Sequence, residues 1–303
     1  MRAHKRLIAA ASLLCTLACA LAAGQAGRKP GAGGEIGKER GVFLNVVATR
    51  ADGSDERITS KELSLYDGGT EQNIQSFVPD PGPARIVILV DNSLGLRADV
   101  EKLQKATREF AYEIYEGDQV EGIGYDQNAE IISDWTDDAK KIEAALPEFR
   151  KRGEPHLFDA LSAVVSDALG PYAGANRKRV IILVGDGLDR GSRTHFDAVF
   201  NEILRGDITV YALQIPDRTG GALRRDRMKP NQVIQKLTEG TGGRALAVND
   251  SRDAAKSICD ELRKNRYVLA YTPTSLPLYE SRRLLIIPEE GITVRHKQTQ
   301  PGQ

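Results

Sequence analysis

The chain has 303 residues, of which 41% are hydrophobic and 28% are charged, as expected for one large globular domain or one domain with a small partner. Its 42 basic and 42 acidic residues balance. Without the three basic residues of the N-terminal segment described next, 39 basic residues face 42 acidic ones, a net charge of about −3. This balance argues against a nucleic-acid-binding protein.

The first 23 residues have the pattern of a cleaved secretory signal peptide. Three basic residues precede an uncharged apolar run, Leu7 to Leu21, and Ala20-Leu21-Ala22 supplies the small residues of a cleavage site. We therefore predict an exported protein, periplasmic or extracellular, with no membrane span after cleavage. Two alternatives stay open. The run could anchor the chain, although it is shorter than the roughly 20 residues of a spanning helix, or Cys19 could carry a lipid.

Two apolar runs predict the core of an α/β domain. Ile86–Val90 and Val180–Val184 are continuous β-branched segments, typical of parallel strands covered on both faces. Between and after them, apolar residues recur at helical spacing, so strands and helices alternate as in a doubly wound, mostly parallel sheet. The β segments on either side are each too small for a core of their own, and we expect them to pair into one small β-sandwich. The predicted boundaries are 1–23 signal peptide, 24–40 flexible linker, 41–82 first part of the sandwich, 83–265 α/β domain, and 266–303 second part of the sandwich with the tail.

Oxygen-bearing side chains follow both apolar strands. Asp91 and Ser93 come after the first strand and Asp186 after the second. Ligands of doubly wound sheets bind at the carboxyl ends of the strands, and Mg²⁺ prefers oxygen ligands, so these residues predict part of a metal site. Purely structural roles are the alternative: Asp91 binding backbone N–H groups of its own loop, Ser93 capping the next helix, and Asp186 forming a turn.

Four motifs in a fixed order resemble a von Willebrand factor A-type domain. They are the Asp-x-Ser loop at 91–93, the helix start Leu157-Phe158-Asp159-Ala160-Leu161, the strand end Gly185-Asp186-Gly187 and the turn Thr241-Gly242-Gly243-Arg244. The stretches 63–77 and 266–273 are similar to the flanks of bacterial proteins in the acidobacterial-type group of that family. The resemblance spans 41–296 and implies a Rossmann-like fold that binds other proteins.

The resemblance also implies a metal-ion-dependent adhesion site, but an incomplete one. The family uses Asp-x-Ser-x-Ser, a threonine on a second loop and an aspartate on a third. Asp91, Ser93 and Asp186 match, whereas Gly95 replaces the second serine and Pro155 stands at the threonine position. With two donors lost, we expect a degenerate site with weak or no Mg²⁺ binding. Two neighbours of Pro155 could replace the lost donors: Glu154 and His156.

The sequence does not have the motifs of the enzyme classes that use this fold. Residues 185–189 lack the serine of a nucleophile elbow, and 91–95 have neither a G-x-G-x-x-G pattern nor a phosphate-binding lysine. The basic cluster 224–229 is a solvated loop or a partner contact, within the long connection 216–230. We predict a binding protein, not an enzyme, that engages an unidentified protein through the strand-end face. The alternative is a structural component of a cell-envelope assembly that makes its contacts through the sandwich.

Overall fold

A computed structural model of the chain describes residues 41–173, 178–220, 228–274 and 279–302. The predicted signal peptide and linker, and most of the basic cluster at 224–229, lie outside these ranges. Within them, no helix is both long enough and apolar enough to cross a membrane.

The described residues form strands and helices in the following order along the chain. The strands are β1 (Val42–Arg50), β2 (Leu63–Asp67), β3 (Thr70–Gln72), β4 (Ile74–Pro79), β5 (Ala84–Asp91), β6 (Gln119–Tyr125), β7 (Ala129–Thr136), β8 (Lys178–Gly185), β9 (Thr209–Gln214), β10 (Ala245–Ala247), β11 (Arg266–Tyr271), β12 (Arg282–Pro288), β13 (Ile292–His296) and β14 (Thr299–Gln300). The α-helices are α1 (Val100–Glu113), α2 (Ala139–Ala145), α3 (Leu157–Ala163), α4 (Phe196–Arg205), α5 (Pro230–Thr241) and α6 (Ser251–Lys264).

The central sheet is the predicted doubly wound one. Its strand order is β10-β9-β8-β5-β6-β7, with all neighbours parallel except the antiparallel edge strand β7. Side chains alternate between the two faces of β5: Ile86, Ile88 and Val90 pack against α1, α2 and α6, while Val87 and Leu89 pack against α3, α4 and α5. Because both faces are covered, the apolar run needs no polar alternation. The carboxyl ends of β5 and β8 therefore lie side by side at one edge of the domain.

The flanking β segments form the predicted sandwich. One sheet has the order β13-β1-β11-β4 and the other β14-β12-β2-β3, so each combines strands from both ends of the described chain. Their facing side chains, including Leu44, Leu65 and Leu269, make one buried cluster. Inside it, the Asp67 carboxylate accepts hydrogen bonds from Arg282 Nε at 2.9 Å and from the Tyr271 hydroxyl at 2.8 Å.

Polar contacts join the sandwich to the α/β domain. Glu261 on α6 accepts a hydrogen bond from Arg295 of β13, and within the α/β domain it also accepts one from the Tyr211 hydroxyl. Arg266, at the start of β11, is buried and donates from Nη1 to Thr209 Oγ1 at 3.1 Å. These charge-assisted bonds fix how the two parts meet.

Two helices join directly to segments of a different helical type. α3 ends at Ala163 and continues as a π-helical segment, Val164–Leu169. A 3₁₀ turn, Val248–Asp250, leads directly into α6. Asp250 precedes the helix and Ser251 is its buried first residue.

Candidate functional site at the strand ends

Three loops meet at the carboxyl edge of the central sheet. The loop after β5 is tied to the one before α3 by two backbone bonds, Leu94 N–H to Gly153 O at 3.0 Å and Arg152 N–H to Asn92 O at 2.9 Å. Pro155 O in turn accepts from the N–H of Arg190, in the loop after β8, at 2.7 Å. These bonds hold the three loops as one surface, which we call the strand-end face.

Asp91, Ser93 and Asp186 are completely buried at the centre of this face. Asp91 Oδ1 accepts from the Ser93 N–H at 3.0 Å and from the Ser93 hydroxyl. Asp186 Oδ1 accepts from the Leu188 N–H at 3.0 Å. The loop role of Asp91 and the turn role of Asp186 are therefore confirmed. The capping role of Ser93 is wrong, because α1 begins at Val100 and Ser93 bonds inside its own loop.

Two glycines set the shape of the site. A Cβ at Gly185 would lie 3.1 Å from the Asp91 Cβ and 3.3 Å from the Tyr125 hydroxyl, so a larger residue would force these side chains to shift. Gly95 has φ +79°, a left-handed conformation in which a serine would be strained. The absence of a serine hydroxyl at position 95 therefore goes together with a backbone conformation that favours glycine.

An arginine from a fourth loop lies between the two aspartates. Arg218 follows β9, and its side chain is only 7% exposed. Nε donates to Asp186 Oδ2 at 2.7 Å and Nη2 to Asp186 Oδ1 at 3.1 Å, a bidentate pair. Nη2 also donates to Asp91 Oδ2, and Nη1 donates to Ser93 Oγ at 2.8 Å and to Leu94 O at 3.2 Å. All five guanidinium N–H donors therefore have an acceptor within the site.

The electrostatics of the site depend on this arginine. Burial raises the pKa of Asp91, and the charge of Arg218 opposes that rise. For Arg218 itself, burial favours a lower pKa, but its hydrogen bonds to Asp186 and the charge of Asp91 raise the pKa above its ordinary value. The buried Tyr125 hydroxyl has a pKa raised by burial and by the two nearby aspartates. The guanidinium is therefore a permanent counter-ion for two buried carboxylates.

This arrangement does not fit a metal ion. The oxygens that would coordinate the ion already accept N–H donors from Arg218, and a bound cation would face a guanidinium fixed among its ligands. Across the described ranges, no cluster of three or more His, Cys, Asp or Glu side chains has the arrangement of a metal site. Glu154 pairs with Arg190 at 3.4 Å and His156 lies 3.9 Å from Asp159, so neither substitutes for the lost donors.

Sequence reasoning found the three oxygen-bearing residues but missed Arg218. Within the long connection 216–230, the sequence drew notice only through the basic cluster at 224–229. Its position in the chain could have indicated this role. Arg218 lies four residues beyond β9, and β9 is the neighbour of β8, whose end carries Asp186.

Comparisons with known proteins address the family of this domain. The sequence profile of the von Willebrand factor type A domain matches residues 86–188, about a third of the chain. A comparison with curated proteins gives no match. The matched segment begins in β5 and ends just beyond Asp186, so it contains Asp91, Ser93 and Asp186.

Several solved structures are similar at a low level. An aerotolerance-related membrane protein from Bacteroides fragilis has 21% identity and a TM-score of 0.47, over 60% of this chain and 99% of its own. BatB from Bacteroides thetaiotaomicron has 19% identity and a TM-score of 0.45, over 59% and 97%. A von Willebrand factor type A protein from Catenulispora acidiphila has 9% identity and a TM-score of 0.47, over 87% and 74%. Likenesses of this degree carry no information on function. The profile match and the observed strand order agree, and this chain therefore carries a von Willebrand factor type A domain.

Proposed function

We propose that this chain is a non-enzymatic, exported protein-binding module that engages a partner protein through the strand-end face without a metal ion. The observation that supports this is the Arg218 guanidinium, which is fixed between Asp91 and Asp186 by its own hydrogen bonds. It supplies one positive charge at the position where the family resemblance implies a divalent ion. Because its five donors are used internally, it does not offer a free coordination position to a partner carboxylate.

The face around the arginine supports contact by a protein surface. Leu94, whose carbonyl accepts from Arg218, has its side chain 60% exposed. The loops of the same face also carry exposed ion pairs: Arg152 pairs with Glu130, and Arg190 with Glu154. An exposed apolar side chain together with charged residues has the general composition of a binding patch.

A second candidate function has its own observation. The outer side of β12 exposes Leu285 at 45% and Ile287 at 48%, next to each other on the same face of the strand. Such a pair would suit a structural role in a cell-envelope assembly, with contact made through the sandwich.

Two matched substitutions separate these functions. The unchanged chain, Leu94→Glu and Leu285→Glu would each be used to capture a partner from an envelope extract of the source cells. Each capture would be carried out once with EDTA and once with Mg²⁺. The proposal predicts that one partner is captured equally with and without Mg²⁺, is lost in Leu94→Glu and is retained in Leu285→Glu. Loss in Leu285→Glu alone would favour the sandwich, and loss with EDTA would contradict metal-independent binding.

A further inference from the structure

A second concave site lies on a different side of the domain. It is a pocket of about 370 Å³ between the β6–β7 hairpin and the helical segment that follows α3. Its walls are mostly apolar and include Ile123, Trp135, Val164 and Tyr172. None of these residues belongs to the strand-end face, so the pocket is independent of the function proposed above.

A buried carboxylate lines this apolar pocket. Glu121 follows the inward side of β6 in line with Ile123 and Tyr125, at a position where a hydrophobic side chain would be expected. It is only 3% exposed, and its Oε2 has no hydrogen-bond partner. A buried carboxylate without a partner is costly. Burial and the charge of Asp134 raise the pKa of Glu121 to about 7, which agrees with a carboxylate that lacks a cation.

The surroundings of the carboxylate combine aromatic rings with charges of both signs. The rings of Trp135 and Tyr172 meet edge to face with centroids 5.6 Å apart, and the guanidinium of Arg85 lies 5.2 Å and 4.5 Å from their centres. Asp167 adds a carboxylate at the exposed side of the lining. It belongs to the π-helical segment Val164–Leu169, and such segments are frequent at functional sites because the extra residue widens the helix.

We propose that this pocket binds a small organic ammonium ion, with its N–H groups donating to the Glu121 carboxylate and its apolar body against Ile123 and Trp135. A carboxylate selects a cation over a neutral donor, because the charge-assisted bond is about twice as strong. A primary ammonium fits better than a quaternary one, since only the former can donate a hydrogen bond to the carboxylate.

The single tryptophan of the chain, Trp135, lines the pocket, so its fluorescence reports on binding directly. The probes are n-butylammonium and its neutral counterpart 1-butanol, titrated at pH 8. We expect n-butylammonium to bind at least about tenfold more tightly than 1-butanol. Nα-acetyl-lysine N-methylamide distinguishes the source of the ammonium: much weaker binding assigns the pocket to free small cations, and equal binding assigns it to a lysine side chain.

Three variants test the assignment of the carboxylate. Glu121→Gln keeps the shape of the side chain and removes its charge, and n-butylammonium affinity should fall about tenfold, to the level of 1-butanol. Glu101→Gln, an exposed position on α1 at the other face of the sheet, should change nothing. Ala168→Phe, which fills the pocket, should abolish binding of both probes while circular dichroism stays unchanged.

Three results would overturn the proposal. One is equal affinity for n-butylammonium and 1-butanol. Another is an n-butylammonium affinity that Glu121→Gln leaves unchanged. The last is no fluorescence response to any probe up to about 10 mM, a concentration that would fill even a millimolar site.

Discussion

Replacing Arg218 with alanine should destabilise the protein strongly. The substitution leaves Asp91 and Asp186, both completely buried, without their counter-ion. Removing one partner of a buried ion pair costs about 3–5 kcal/mol, most of it from the charge that remains buried. Here two carboxylates lose the same partner, so the upper half of that range, about 4–5 kcal/mol, is expected. The loss is a large fraction of the typical total stability of about 5–15 kcal/mol.

Urea unfolding followed by circular dichroism in EDTA measures this change. Arg190→Ala on the same face is the matched control, because Arg190 is half exposed and its pair with Glu154 should contribute no more than about 1 kcal/mol. A triple variant, Asp91→Asn with Asp186→Asn and Arg218→Met, removes all the charges together and should recover at least half of the loss. If Arg218→Ala were as stable as Arg190→Ala, the buried counter-ion reasoning would be refuted.

Three further substitutions test other parts of the structure. Glu121 has a folded pKa of about 7, above the ordinary value of 4.5, so the free energy of unfolding is highest below pH 4.5, where the group is protonated in both states, and falls as the pH rises through about 7. Glu121→Gln removes this group, so the free energy of unfolding should fall less between pH 5 and pH 8, by at most about 3 kcal/mol. Urea titrations at several pH values measure this difference. If the free energies of the unchanged chain and of Glu121→Gln ran parallel with pH, the raised pKa of Glu121 would be excluded. Gly185→Ala should lower the stability by about 1–3 kcal/mol, whereas Gly122→Ala, whose Cβ would meet Ser133 at an ordinary 3.6 Å, should be nearly neutral in thermal melts. Asp67→Asn breaks the buried pair with Arg282, so it should cost about 3–5 kcal/mol of stability and speed amide exchange in β2 and β12. The control Glu56→Gln, in the exposed pair with Arg50, should change neither the stability nor the exchange. Equal exchange in the two variants would contradict the importance of the buried pair.

The sequence was sufficient for the fold because the physical signals are local. The runs Ile86–Val90 and Val180–Val184 have no polar alternation, which happens only when both faces of a strand are covered. The flanking segments show the opposite pattern, and their small size implied that they pair with each other. Both expectations are confirmed by the strand orders.

The candidate site was only half visible in the sequence because its key contact is not local. Asp91 and Asp186 follow recognisable strands, but Arg218 is 127 positions away from Asp91. Its role depends on β9 lying beside β8 and on the side chain turning inward, and neither leaves a motif. Glu121 was hidden for a related reason: a glutamate in a strand reads as solvent-facing unless the pairing places it on the covered side.

The binding of Mn²⁺, followed by electron paramagnetic resonance, tests the central claim that Arg218 takes the place of a metal ion. Titrations would compare the unchanged chain, Arg218→Ala, and Arg218→Ala combined with Asp186→Ala. The account predicts no bound Mn²⁺ in the unchanged chain, binding once Arg218 is removed, and loss of that binding when Asp186 is removed as well. Stoichiometric Mn²⁺ binding to the unchanged chain that Asp186→Ala abolishes would contradict the account and show that the strand ends form a working metal site.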